Sequence, residues 1–142
     1  MEQVAHAVSH AQAHIMGPRL AADIVAVAAT AGVLLDHSPG SLAFVDRMID
    51  GLRRTRPPMG DSVPPALQAF GAYTGEVLVR SCGAVWLDFD ATQRDIFGQP
   101  FGIRTADSRV WNPLGKAVKR YRFGNGESLR LFYLAVVGQT LG

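Results

Sequence analysis

The stretch from Pro64 to Asp90, PPALQAFGAYTGEVLVRSCGAVWLDFD, constrains this chain more than any other. It reads as a helix that ends in a glycine turn and passes directly into an apolar strand. Pro64 and Pro65 suit a first helical turn, where a missing N–H breaks no helical bond and φ already lies near the helical value. Leu67, Phe70, Thr74, Val77 and Leu78 recur at helical spacing and predict one buried stripe. Glycine inside a helix costs about 1 kcal/mol relative to alanine. Gly71 and Gly75, one turn apart, therefore predict that another backbone comes close on that face. Gly83 fits the position just past the helix end. From Ala84 the chain alternates, with Val85, Leu87 and Phe89 on one face and Trp86, Asp88 and Asp90 on the other. Glu76 lies within this apolar helix. A structural ion pair with an Arg or Lys of the C-terminal part is expected for it; a proton donor or ligand contact in a cleft is the alternative.

Around this stretch the chain has 142 residues, enough for one domain with a real core. With 48% hydrophobic and 18% charged residues it belongs with globular proteins. A formal net charge of +2 does not by itself point to nucleic acid. Cys82 is the single cysteine, so no internal disulfide is possible. It reads as a small buried residue at a helix end. The first residues lack the basic segment and apolar core of a signal peptide. The longest apolar run, Ile24 to Leu35, is shorter than the roughly 20 residues that cross a bilayer. The expectation is a cytoplasmic protein without a membrane partner.

Residues 2 to 16 read as an alanine-rich helix, and Gly17-Pro18 punctuates it. A second helix from Leu20 to Ala31 follows, with Leu20, Ile24, Val27, Ala28 and Ala31 inward, or the two form one helix kinked at Pro18. Ser38 as N-cap and Pro39 behind it start a helix that runs to about Arg54. Its apolar face is Leu42, Val45, Met48, Ile49 and Leu52; Asp46, Arg47, Asp50, Arg53 and Arg54 lie opposite. Thr55 to Val63 reads as a loop and divides residues 1–56 from residues 64–142 within one domain. Arg94 to Thr105 predicts one or two short strands, broken at Gly98-Gln99-Pro100. Asn112-Pro113 opens a helix to about Arg122, and Gly124-Asn125-Gly126 turns the chain. A last helix from Glu127 to about Leu141 is apolar almost all round, which predicts a central position. The fold class is α+β: a single, mostly helical domain of five to six helices, with a small antiparallel β-sheet around residues 84–105.

Several stretches together resemble a group of small bacterial domains, common in actinobacteria, that carry no assigned function. They are Leu35-Asp36-His37-Ser38 with Ser41-Leu42 and Asp46; Tyr73-Thr74-Gly75-Glu76 with Gly83 and Trp86; and Pro113, Lys119-Arg120, Gly126, Ser128-Leu129 and Phe132-Tyr133. The resemblance covers roughly residues 30 to 137. It implies a mixed helical domain with a small sheet, and it supplies no catalytic residues.

Three groups of residues invite a chemical reading. Glu2, His6, His10 and His14 lie one turn apart and line one side of a helix. Imidazoles at that spacing can share a metal, but one helix offers two ligands to one ion and rarely three; a solvated polar face is the plainer reading of His6, His10 and His14. Asp88-Phe89-Asp90-Ala91-Thr92 after an apolar strand resembles the first motif of the haloacid-dehalogenase phosphatases. That resemblance implies Asp88 as the attacking carboxylate, Asp90 as acid/base, Lys116 or Lys119 to neutralise phosphate, and an acidic pair to hold Mg²⁺. Only Asp107 and Glu127 remain downstream of Asp95, they are not adjacent, and some fifty residues cannot build several βα units of about 30 residues each. Lys116, Lys119, Arg120, Arg122 and Arg130, interleaved with Tyr121 and Phe123, form a basic cluster. It could track a phosphate backbone, but no nucleic-acid fold pattern accompanies it.

No catalytic set is complete and no cofactor is implied, so a non-catalytic interaction or accessory protein is expected. Its ligand or partner groove is expected near the pivot helix, around Glu76, Trp86, Lys119, Arg120 and Tyr133. A protein partner or a homodimer fits so apolar a small chain. The alternatives are a metal-dependent hydrolase or phosphatase and a weak nucleic-acid binder.

Overall fold

The computed structural model of the protein describes residues 12 to 141. Among these the chain forms helices α1 (Ala13–Thr30), α2 (Leu42–Thr55), α3 (Ala66–Cys82), α4 (Ala91–Phe97), α5 (Pro113–Phe123) and α6 (Leu129–Leu141). Strands β1 (Val85–Asp88), β2 (Phe101–Arg104) and β3 (Val110–Trp111) form an antiparallel sheet in that order. Two 3₁₀ turns, Pro39–Ser41 and Asn125–Glu127, lead into α2 and α6. The architecture is the expected mostly helical α+β domain with a small antiparallel sheet. Of the helix expected over residues 2 to 16, residues 13 to 16 belong to α1 and residues 2 to 11 lie outside the described residues.

Helix α3 is the centre, because every residue of its expected stripe is buried and its small residues admit neighbours on the other sides. A Cβ added at Gly71 would lie 2.5 Å from the Leu114 Cα, so α5 crosses α3 backbone against backbone there. Gly75 differs from expectation: its neighbour is the Trp86 ring, 2.6 Å from an added Cβ, and not a second backbone. Gly17 of α1 meets the same indole, 2.4 Å from an added Cβ. Two glycines thus form a slot for one tryptophan, and this decides which way β1 faces. Trp86 turns toward the helices, whereas Val85 is exposed. In the sheet Val85 lies opposite Arg104 and Asp88 opposite Phe101.

Helix α1 continues through Gly17 and Pro18, so no second helix starts at Leu20. Ala13, Gly17, Ala21, Ile24 and Ala28 are its buried residues, while Val27, expected inward, is 57% exposed, and Ala31 just past the helix is exposed as well. Residues 91 to 97 are helical and not extended, because Asp90 caps the segment: its side chain accepts from the Gln93 N–H and the Gln93 side chain accepts from the Asp90 N–H. Only Phe101–Arg104 of the expected strand region is a strand. Helix α6 is not central. Leu129 and Val136 are buried, but Leu131 and Leu134 remain 60% and 49% exposed, since the described residues cover only one side of it. The loop from Thr55 to Val63 does not separate two bodies. The Arg53 Nε donates to the Tyr121 carbonyl at 2.7 Å, and the Tyr121 hydroxyl donates to the Arg56 carbonyl, so α2 and α5 are tied across it.

Candidate functional site

The acidic residues that suggested chemistry are engaged at helix ends and turns. Asp88 Oδ1 accepts the Ala13 N–H at 2.8 Å, which places this carboxylate on the N-terminus of α1, where free N–H groups and the helix dipole favour it. Asp90 Oδ1 accepts the Gln93 N–H at 2.8 Å as the cap of α4. Asp107 accepts from the Thr105 hydroxyl at 2.6 Å and from the Arg109 N–H at 3.2 Å, and the Thr105 bond in particular holds its carboxyl below the ordinary value. Glu127 is held low by its bond to Lys116, with which it forms an ion pair.

Glu76 bridges two residues near it in the chain. Its Oε1 accepts the Trp86 indole N–H at 3.2 Å, and its Oε2 pairs with the Arg80 Nε at 3.4 Å. The ion pair therefore runs one turn along α3 and not to a base of the C-terminal part. Nearby, His37 adopts φ +65°, donates its backbone N–H to the Tyr73 Oη at 2.8 Å, and lays its ring 5.1 Å from the Tyr73 ring. Burial pushes the His37 imidazole below its ordinary value; Arg80 adds to this, while Glu76 and Asp36 act the other way. Ser41 donates its hydroxyl proton to the Ser38 carbonyl at 2.6 Å, so Tyr73 is the donor in its 2.6 Å bond to the Ser41 Oγ. Burial also pushes the Tyr73 phenol up. This network fastens the loop of residues 36–41 onto α3.

Arg120 belongs to a separate cluster and is 1% exposed. Its Nε donates to Asp46 Oδ1 at 3.0 Å, and its Nη2 reaches Asp50 at 2.9 Å and Asn125 Oδ1 at 2.9 Å. Its Nη1 is buried with no partner. Asp46, expected on a solvated face, is the hub: it also accepts the Ser128 hydroxyl at 2.9 Å and the Leu129 N–H at 2.9 Å, capping α6. Tyr133 is buried in the core. The five residues expected around one groove are thus distributed: Glu76 with Trp86, Arg120 with Asp46, Tyr133 in the core and Lys119 on the surface. No hydrogen bond among the described residues joins these groups.

Lys119 lines a cleft of about 430 Å³ whose walls are α5, the loop at Asp61 and Val63, and the turn after α4 from Ile96 to Gln99. A second lobe of about 250 Å³ shares Phe97, Asn112, Gly115 and Lys119 with the first, so the two form one trough along α5. Lys119 makes no ion pair among the described residues, in contrast to Lys116 and Arg120. The Arg122 Nη2 donates to the Asp61 carbonyl at 3.1 Å, and its Nε is buried without an acceptor. Ile96, 72% exposed, stands on the opposite wall. Sequence reasoning found Lys119 but missed this wall, because α4 read as strands; the capping pair Asp90 and Gln93 was the signal that could have found it.

His6, His10 and Glu2 lie outside the described residues, and His14 is exposed on α1. Among the described residues no group of three or more His, Cys, Asp or Glu side chains is arranged to hold a metal ion. None of the helices described is long and apolar enough to cross a membrane. No family model, curated protein or solved structure matches this chain.

Proposed function

We propose that this chain is a non-catalytic interaction or accessory protein of the cytoplasm, with the trough along α5 as its recognition surface. The observation that carries this reading is how the polar groups are employed. Asp46, Glu76, Asp88, Asp90, Asp107 and Glu127 each hold a helix end, a turn or a base within the fold. A phosphatase needs a carboxylate free to attack and others free to hold an ion. Lys119, by contrast, stands in an open cleft and makes no ion pair among the described residues, so its charge is available to attract and orient a partner of opposite charge. The single cysteine is consistent with a reducing compartment.

The test is affinity purification of the tagged full chain from its own cells, run beside Lys119→Glu. The reading expects a protein that co-purifies with the parent and is lost from the variant. Magnesium-dependent turnover of p-nitrophenyl phosphate that disappears in Asp88→Asn would contradict it. Self-association is favoured by a different observation, the exposed Leu131 and Leu134 of α6. Sedimentation velocity should then find a dimer that Leu134→Glu dissociates; a monomer at every concentration removes this second reading.

A further inference from the structure

Building on that recognition role, we propose that the α5 trough takes an extended acidic peptide segment carrying an apolar side chain. Lys119 and Arg122 engage its carboxylates, while Ile96 and Val63 flank its apolar group. The charge balance points this way. The charged residues lining the first lobe are Lys119, Arg122 and Asp61, and the second adds only Lys116, already paired with Glu127. Cations therefore exceed carboxylates. Lys119, exposed and without an ion pair among the described residues, can give a carboxylate in the trough a charge-assisted bond.

Shape and apolar lining narrow the occupant further. Lys116, Lys119 and Arg122 recur every three residues along α5, so they span about 9 Å at 1.5 Å per residue. An extended chain covers that distance in about three residues. The wall opposite offers Ile96 and Phe97, and Val63 and Val118 add to the apolar surface. A nucleic-acid backbone would need a longer run of unpaired cations than this trough presents.

The test is fluorescence anisotropy of a labelled hexapeptide alternating glutamate and leucine, titrated with the full chain. Binding should saturate at about 50 mM salt and weaken about tenfold by about 0.3 M, as screening of exposed charges requires. Lys119→Glu should weaken it about tenfold, Ile96→Ser by a smaller factor, and a lysine–leucine peptide should not bind. Both substituted side chains are exposed, and an unchanged melting curve verifies that the variants fold. Equal binding to parent and Lys119→Glu, or equal binding of the lysine–leucine peptide, overturns the proposal. So does oligothymidylate binding that depends on Lys119 when the acidic peptide fails. If the peptide fails but a cellular partner is still lost in Lys119→Glu, the acidic segment is wrong and the recognition role survives. If that partner is also indifferent to Lys119→Glu, both fall.

Discussion

Lys119 and Arg120 are neighbours in sequence and carry the same charge, yet α5 sends them to opposite fates. One residue along a helix is a rotation of about 100°, enough to move a side chain from one face to the next. Arg120 turns inward onto Asp46 and Asp50, and Asp46 also caps α6. Lys119 turns outward into the trough and pairs with nothing described. The lesson is that charge type says little about role; what matters is whether another helix has brought an acceptor to that face. A buried cation demands a partner, and a partner that demands a cation in return makes both architectural.

That contrast can be broken first at Asp46. Asp46→Ala removes the main partner of a buried guanidinium and the cap of α6 together, and should cost about 3–5 kcal/mol in urea unfolding. A loss no larger than that of an exposed pair would mean that Arg120 finds water or Asp50 sufficient. Next comes the α3–α5 crossing that aims both side chains. Gly71→Ala places a methyl against the Leu114 backbone and should cost about 1–3 kcal/mol, as overpacking does. A smaller effect belongs to the α4 cap that builds the opposite wall of the trough: Asp90→Ala should cost about 1 kcal/mol. Loss of helical signal beyond one short helix would show that α4 supports more of the fold than its contacts suggest.

A pH titration sharpens the comparison from the architectural side. The folded pKa of His37 lies below its ordinary 6.5, chiefly through burial. Between the folded and unfolded values the unfolded chain therefore binds more protons, so stability should fall as pH drops below about 6.5 and level off once both states are protonated. Asp36, Asp107 and Glu127 have lowered values, so their contribution persists until more acid pH and is lost as pH falls through their folded pKa values. His37→Asn, which tolerates the positive φ, should abolish the first phase and leave the second. A first phase unchanged in His37→Asn would assign it to another group.

Much of the fold was legible because its signals are local. Ser38 before Pro39 and Asn112 before Pro113 start helices in the structure as in the sequence, and each side chain accepts the N–H three residues on. The stripe of α3 was legible because it is periodic. The sheet side of Trp86 was not, since it depends on Gly17 and Gly75 converging from two helices. The exposure of Leu131 and Leu134 was not either, because an all-apolar helix carries no mark of which side is covered. Of the candidate site, Lys119 could be picked out as a cation, but its freedom could not. Arg120 is neutralised by a residue 74 positions away, and no local pattern records that.

The most direct test sets the two neighbours side by side: urea unfolding of Arg120→Ala and Lys119→Ala under identical conditions. Arg120→Ala should lose about 3 kcal/mol or more, and Lys119→Ala should change stability by no more than about 0.5 kcal/mol. Comparable losses for both, or a larger one for Lys119→Ala, would contradict this division of roles.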